Sequence, residues 1–203
     1  MALVLCLLPS SLGFATPSLT VLPQQKFPPR AVPTMGSLAD SIAGEWEMDL
    51  SSSDGLGPLL RELGLNRILA AVVTRLQVKQ SITMESDALT VVVKTSLSEE
   101  TMRLPFDGRC SVVPGLTGGR SACVTRWLDA EKTQLETRQT LSTAPSDAEA
   151  LSLPAAKTLD AEAFVTVRSL RDDGKLLVES CTVVRDGVEL STLRADRILK
   201  RLG

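Results

Sequence analysis

Three consecutive segments, Gly44–Leu50 (GEWEMDL), Ser51–Leu76 (SSSDGLGPLLRELGLNRILAAVVTRL) and Gln77–Thr95 (QVKQSITMESDALTVVVKT), decide the fold. In the first, Trp46, Met48 and Leu50 alternate with Glu45, Glu47 and Asp49, the mark of a half-buried strand. The second reads as a short helix pair. Ser51 to Asp54 supply capping residues, Pro58 suits a first turn, Gly64 ends one helix and Asn66 caps the next. Leu59, Leu60 and Leu63 share a face, and Ile68, Leu69, Val72, Val73 and Leu76 form a broad apolar stripe. Helices of two or three turns are unstable alone, so both must lie on something apolar. The third segment is a hairpin: Val78 to Met84 alternates, Glu85-Ser86-Asp87 turns, and Leu89, Val91 and Val93 share a face. A strand, a helical cap and then hairpins make a small barrel with a covered mouth, a place for a ligand.

The remaining chain supplies the other strands. Met102 to Phe106 alternates and stops at Asp107-Gly108, and Cys110 to Val113 ends at Pro114-Gly115. Arg120–Leu128 and Gln134–Leu141 flank the turn Asp129 to Lys132. Phe164–Leu170, Lys175–Val184 and Val188–Leu199 follow, separated by Asp172-Asp173-Gly174 and Asp186-Gly187. Ten antiparallel neighbours suit a mainly β, up-and-down barrel with a two-helix lid after the first strand. Residues 142–163, rich in Ala, Ser and acidic residues with Pro145 and Pro154, read as an inserted surface loop with room for a short helix.

Composition excludes several function classes. A net charge of −2 and a pI near 5.3 lack the basic face of a nucleic-acid binder. The absence of histidine removes Ser-His-Asp and Cys-His catalysis and the commonest zinc ligand. Cys6, Cys110, Cys123 and Cys181 form no CxxC motif and read as small buried or half-buried thiols. No metal site and no cofactor are called for, and no catalytic residue is assigned. Glu85, Asp87, Glu99 and Glu100 sit in turns where carboxylates are ordinarily solvated.

Residues 1–38 read as a cleaved targeting presequence. The first thirteen (MALVLCLLPSSLG) are apolar, too short to span a bilayer, and like a signal core. Residues 14–38 contain Lys26 and Arg30, no acidic residue, and many Ser, Thr and Pro, the composition of a transit peptide. With Phe14-Ala15-Thr16-Pro17 at the junction, the segment resembles the two-part presequence of algae with complex plastids. Plastid import is therefore expected, with plain secretion or a simple transit peptide as the alternatives, and the barrel is expected to occupy residues 40–203.

The ordered set Gly44-Glu45-Trp46, Leu63-Gly64-Leu65, Ile82 to Thr90, Val167-Arg168-Ser169-Leu170, Asp173-Gly174-Lys175-Leu176, Asp186-Gly187-Val188 and Arg197 to Arg201 resembles the intracellular fatty-acid-binding proteins of the lipocalin (calycin) group. The resemblance covers roughly residues 41–202. It implies a ten-stranded clamshell around a water-containing cavity, with two arginines and a tyrosine holding a fatty-acid carboxylate. The arginines match Arg168 and Arg197, whereas Leu199 stands at the tyrosine position.

A buried guanidinium is costly unless paired, so inward arginines need a carboxylate, water or an anionic ligand. Alternatively one or both lie at the surface, or Arg197 stacks on Trp46 at the closed end. Met48, Val91, Met102, Leu104 and Phe106 are the expected wall, and Leu60, Leu63, Ile68 and Val72 the portal lid. The expected function is non-enzymatic binding and transport of a small hydrophobic ligand, a fatty acid or similar, by a monomer that touches membranes transiently through its lid. A lipocalin-like plastid enzyme (chromophore lyase or lipid or pigment isomerase) and a filled-barrel interaction module are the alternatives.

Overall fold

The computed structural model describes residues 37–116, 118–152 and 159–203. The presequence up to residue 36, with Cys6, and residues 153–158 of the insert lie outside the described residues.

The strands follow the expected order: β1 (Gly44–Met48), β2 (Lys79–Met84), β3 (Ala88–Lys94), β4 (Glu99–Pro105), β5 (Ser111–Pro114), β6 (Arg120–Trp127), β7 (Gln134–Gln139), β8 (Ala163–Arg171), β9 (Leu176–Arg185), β10 (Val188–Glu189) and β11 (Ala195–Arg201). They form one antiparallel sheet in the order β4-β3-β2-β1-β11-β9-β8-β7-β6-β5, with the short β10 on β9. β4 and β5 lie side by side with no described ladder between them, so the sheet nearly closes as a clamshell. The period of two decides the interior: Trp46 and Met48 on β1, and Leu89, Val91 and Val93 on β3, point inward.

Val188 to Leu199 is not one strand. It breaks into β10, a 3-10 turn at Ser191–Leu193 and β11. The break lets the lid in. Asp54 and Asp196 exchange backbone hydrogen bonds (2.9 and 3.0 Å), and Ser53 Oγ accepts from Ile198 N (3.0 Å), which ties the residues before the lid to the start of β11. Gly55 is required here. Its φ is +74°, and a Cβ would lie 2.2 Å from Arg194 O. The cap of the first lid helix is thus Gly55 rather than a side chain of Ser51 to Asp54.

The lid comprises α2 (Leu56–Glu62) and α3 (Arg67–Val73), after a single-turn α1 (Leu38–Ser41); α4 (Asp147–Ser152) lies in the insert. Gly64 (φ +90°) ends α2, and Asn66 Oδ1 accepts from Leu69 N (2.9 Å), as the sequence indicates.

The closed end is built around Trp46, fully buried, whose Nε1 donates to Ile42 O (2.9 Å). The cation over its ring is Arg201, 4.3 Å from the centroid, not Arg197. Arg201 also donates to Ala43 O (2.8 Å) and to Ser41 O. Gly44 lets it approach, since a Cβ there would sit 2.7 Å from Arg201 Nη1. Leu38 and Ile42 are buried in the same cluster, and Leu38 N donates to Lys132 O (2.9 Å), so the described core begins at the last residue of the expected presequence.

Candidate functional site: a charged belt between two apolar clusters

Strands β8, β9 and β11 each carry the same inward sequence of layers. Towards the closed end stand Leu170, Leu177 and Leu199, in one cluster with Trp46 and Met48. Towards the lid stand Phe164, Cys181, Val183 and Ala195, in a second cluster with Leu56, Leu59, Leu60, Ala70 and Val73. Between them come Arg168, Glu179 and Arg197. Register makes these direct neighbours: Arg168 opposes Glu179 across β8–β9, and Arg197 opposes Glu179 across β9–β11.

The three side chains are buried, at 6%, 0% and 4% exposure. Arg168 Nε donates to Glu179 Oε1 (3.0 Å), and Arg197 Nη1 pairs with Glu179 Oε2 (3.0 Å). Arg168 Nη1 donates to Thr137 Oγ1 (3.1 Å), which lies 3.2 Å from Thr125 Oγ1. Gln80, reaching across the barrel from β2, donates through Nε2 to Glu179 Oε2 (3.2 Å). Burial pushes the Glu179 carboxyl up, but Arg197 and then Arg168 outweigh it and hold the group at about 2, from an ordinary 4.5. Glu179 is therefore ionised at neutral pH, and two guanidiniums stand against one carboxylate.

Arg168 and Arg197 thus come together as the sequence suggests, but through Glu179, which the sequence reading did not single out. Its signal was available. The turn at Asp172-Asp173-Gly174 closes a hairpin that pairs Arg171 with Leu176, and counting back along both strands sets Arg168 against Glu179. Gln80 had only its alternation with Val78 and Ile82, because its partner lies 99 residues away. Leu199 is fully buried in the closed-end cluster and brings no hydroxyl to the belt.

The expected wall residues gather away from the lid. Met48, Val91 and Leu104 are buried in the closed-end cluster, with Met102 and Phe106 packed against it, the latter tilted on Trp127 at a centroid distance of 5.2 Å. Of the expected lid residues, Leu60 is buried and Leu63 packs partly against the lid-side cluster. Ile68 and Val72 face outward, 77% and 46% exposed, and α3 buries Ala70 and Val73 instead. The apolar residues of α3 span more than one face, and small Ala70 is the side that allows close approach.

The remaining candidates are accounted for elsewhere. Glu85 and Asp87 both pair with Arg103 (2.9 Å each), and Glu99 pairs with Lys94 (3.2 Å), all at the surface; Glu99 and Glu100 stand on β4 rather than in a turn. Burial pushes the Cys181 thiol up and raises Cys123 to about 11, the latter partly offset by the Ser111 hydroxyl. Cys110 is half-buried. Protonated buried thiols are poor nucleophiles.

No family model matches the chain, and no curated protein matches its sequence. Its fold has many counterparts among solved structures. The Schistosoma mansoni fatty acid binding protein in complex with arachidonic acid superposes with a TM-score of 0.57 at 17% identity, covering 81% of this chain and 98% of that one. The Echinococcus granulosus fatty-acid-binding protein 1 gives 0.58 at 10% identity, over 81% and 99%. A point mutant of the fluorescent protein UnaG gives 0.59 at 14% identity, over 81% and 98%. The chain shares with these structures the fold of a nearly closed antiparallel barrel.

Proposed function

We propose that this chain is a non-enzymatic carrier of a fatty acid or a closely similar acid. The observation that carries this reading is the belt: an excess of buried positive charge, held between apolar clusters beneath a helical lid. An acid headgroup would neutralise the excess. Its tail would add roughly 0.8 kcal/mol for each buried methylene, so a long chain binds usefully even where Leu199 provides no third anchor. The test is titration of delipidated protein with a fluorescent fatty acid, followed by displacement with an unlabelled one. Saturable, displaceable binding is expected, and its absence would sink the carrier reading.

Transient membrane contact through the lid is part of the proposal. Ile68 and Val72 are exposed on α3, with Arg61, Arg67 and Arg75 exposed nearby in the lid sequence. Apolar residues among arginines suit an anionic bilayer surface. Ile68→Ser should slow ligand transfer to anionic vesicles while leaving affinity unchanged.

Delivery to an algal plastid rests on the acid-free presequence alone. Cleavage before Leu38 would leave the barrel core whole. N-terminal sequencing of the chain from its source decides: an intact Met1 would end the import reading.

A further inference from the structure

One acceptor in the belt, Gln80 Oε1, has no donor among the described residues. Glu179 Oε2 receives both Arg197 Nη1 and Gln80 Nε2, so the Gln80 amide and the Arg197 guanidinium stand side by side around one oxygen. The Gln80 amide has only one sensible orientation, since only its NH2 can face a carboxylate. Its Oε1 is thereby turned away from Glu179, and it is buried with no hydrogen-bond partner among the described residues. Arg197 meets Glu179 through Nη1 at 3.0 Å. Arg168 differs: its Nε and Nη1 are both committed to the protein, on Glu179 and Thr137.

A plain carboxylate beside Arg197 would complete an alternating row of charges, Arg168, Glu179, Arg197 and ligand, but would not answer Gln80. It has no hydrogen to offer Gln80 Oε1, and an acceptor buried without a donor is destabilising.

We propose that Arg197 and Gln80 form the headgroup subsite, and that it takes a long-chain hydroxy acid in preference to the unsubstituted acid. The carboxylate meets Arg197, and a hydroxyl close to it donates to Gln80 Oε1. Arg168 is a positioning residue that fixes Glu179 and, through Glu179, the Arg197 fork. The inference rests on the carrier reading and narrows it.

The test is calorimetric titration of the delipidated full chain with four ligands matched in chain length: the unsubstituted acid, its α-hydroxy and β-hydroxy derivatives, and the alcohol. At least one hydroxy acid should bind about tenfold or more tightly than the plain acid, the size expected for supplying a missing buried hydrogen bond. The alcohol, with nothing for Arg197, should bind more weakly than that hydroxy acid. In Gln80→Leu and Gln80→Met the two kinds of acid should bind alike, with unchanged secondary structure by circular dichroism. The wild-type comparison stands even if both variants misfold. Equal affinities for plain and hydroxy acids in the wild type, or a preference that persists in both variants, overturns the inference and leaves the carrier reading intact. Failure of all four ligands to saturate the protein overturns both.

Discussion

Among the described residues the barrel carries two arginine–glutamate–arginine triads, one inside and one outside. Inside, Glu179 joins Arg168 and Arg197, with side-chain exposures of 1%, 7% and 5%. Outside, Glu136 joins Arg126 (2.8 Å) and Arg138 (3.1 Å), with exposures of 7%, 51% and 22%. The residue types and distances are alike. The surroundings of the cations differ: Arg126 and Arg138 keep water, so each could lose Glu136 and remain solvated. Among the described residues, Arg168 and Arg197 rest on Glu179 and Thr137. A charge pair becomes indispensable when its alternatives are removed, not when its geometry improves.

The comparison is broken most directly by Glu179→Ala. Removing the carboxylate leaves two buried guanidiniums without a counter-charge, and breaking a buried pair in this way costs about 3–5 kcal/mol. Urea denaturation should show that loss, or the variant should fail to fold. A loss below about 1 kcal/mol would mean that the belt is as well hydrated as the outer face.

Acid titration sharpens the same point. The Glu179 carboxyl titrates below its ordinary value, at about 2 against 4.5. For a carboxyl depressed on folding, the stabilisation is fully present above the unfolded value and disappears as pH falls through the folded one. Stability should therefore decline between about pH 4.5 and pH 2, and Glu179→Gln, if it folds, should flatten that decline relative to wild type. An unchanged acid limb in the variant would show that Glu179 is not the group whose protonation opens the barrel.

How much of this could be read in the sequence differs by element. The alternation of Trp46 and Met48, the Gly64 stop and the Asn66 cap are local signals, and each holds in the structure. Arg168 and Arg197 could be placed inward by the period of two. Their partner followed from a hairpin count across Asp172-Asp173-Gly174 that was open to reading, yet a lone Glu between Val178 and Ser180 looks like an ordinary surface charge. Nothing local marks Gln80, because its role is made across the barrel. The two-turn α3 shows another limit: with apolar side chains at 68, 69, 72 and 73, its pattern allows several faces, and the fit of Ala70 and Val73 on the lid-side cluster chose one. Likewise, nothing in Val188 to Leu199 announces a 3-10 turn; the pairing of Asp54 with Asp196 determines where β11 begins.

On the outer face, Glu136→Ala should cost less than the inner substitution by a wide margin. Arg138 retains Leu159 O (3.3 Å) and Asp160 (3.5 Å), and Arg126 returns to water. A loss of about 1 kcal/mol or less is expected, discounted for the exposure of both arginines. A loss as large as that of Glu179→Ala would show that the insert, through Arg138 and Asp160, depends on Glu136 for its docking.

The smallest effect belongs to Arg126→Ala. Arg126 is half exposed, and Glu136 still has Arg138 when it is gone, so neither a bare charge nor a cavity is left behind. The change should stay within about 0.5 kcal/mol. It should also shrink when salt is raised, because screening removes what little a half-exposed pair contributes. Arg197→Ala is the matched inner substitution: Glu179 keeps Arg168, but the site it leaves lies buried between two apolar clusters. Its loss should persist in high salt. Denaturation of the two variants at low and high salt therefore separates an ion pair that water can replace from one that it cannot.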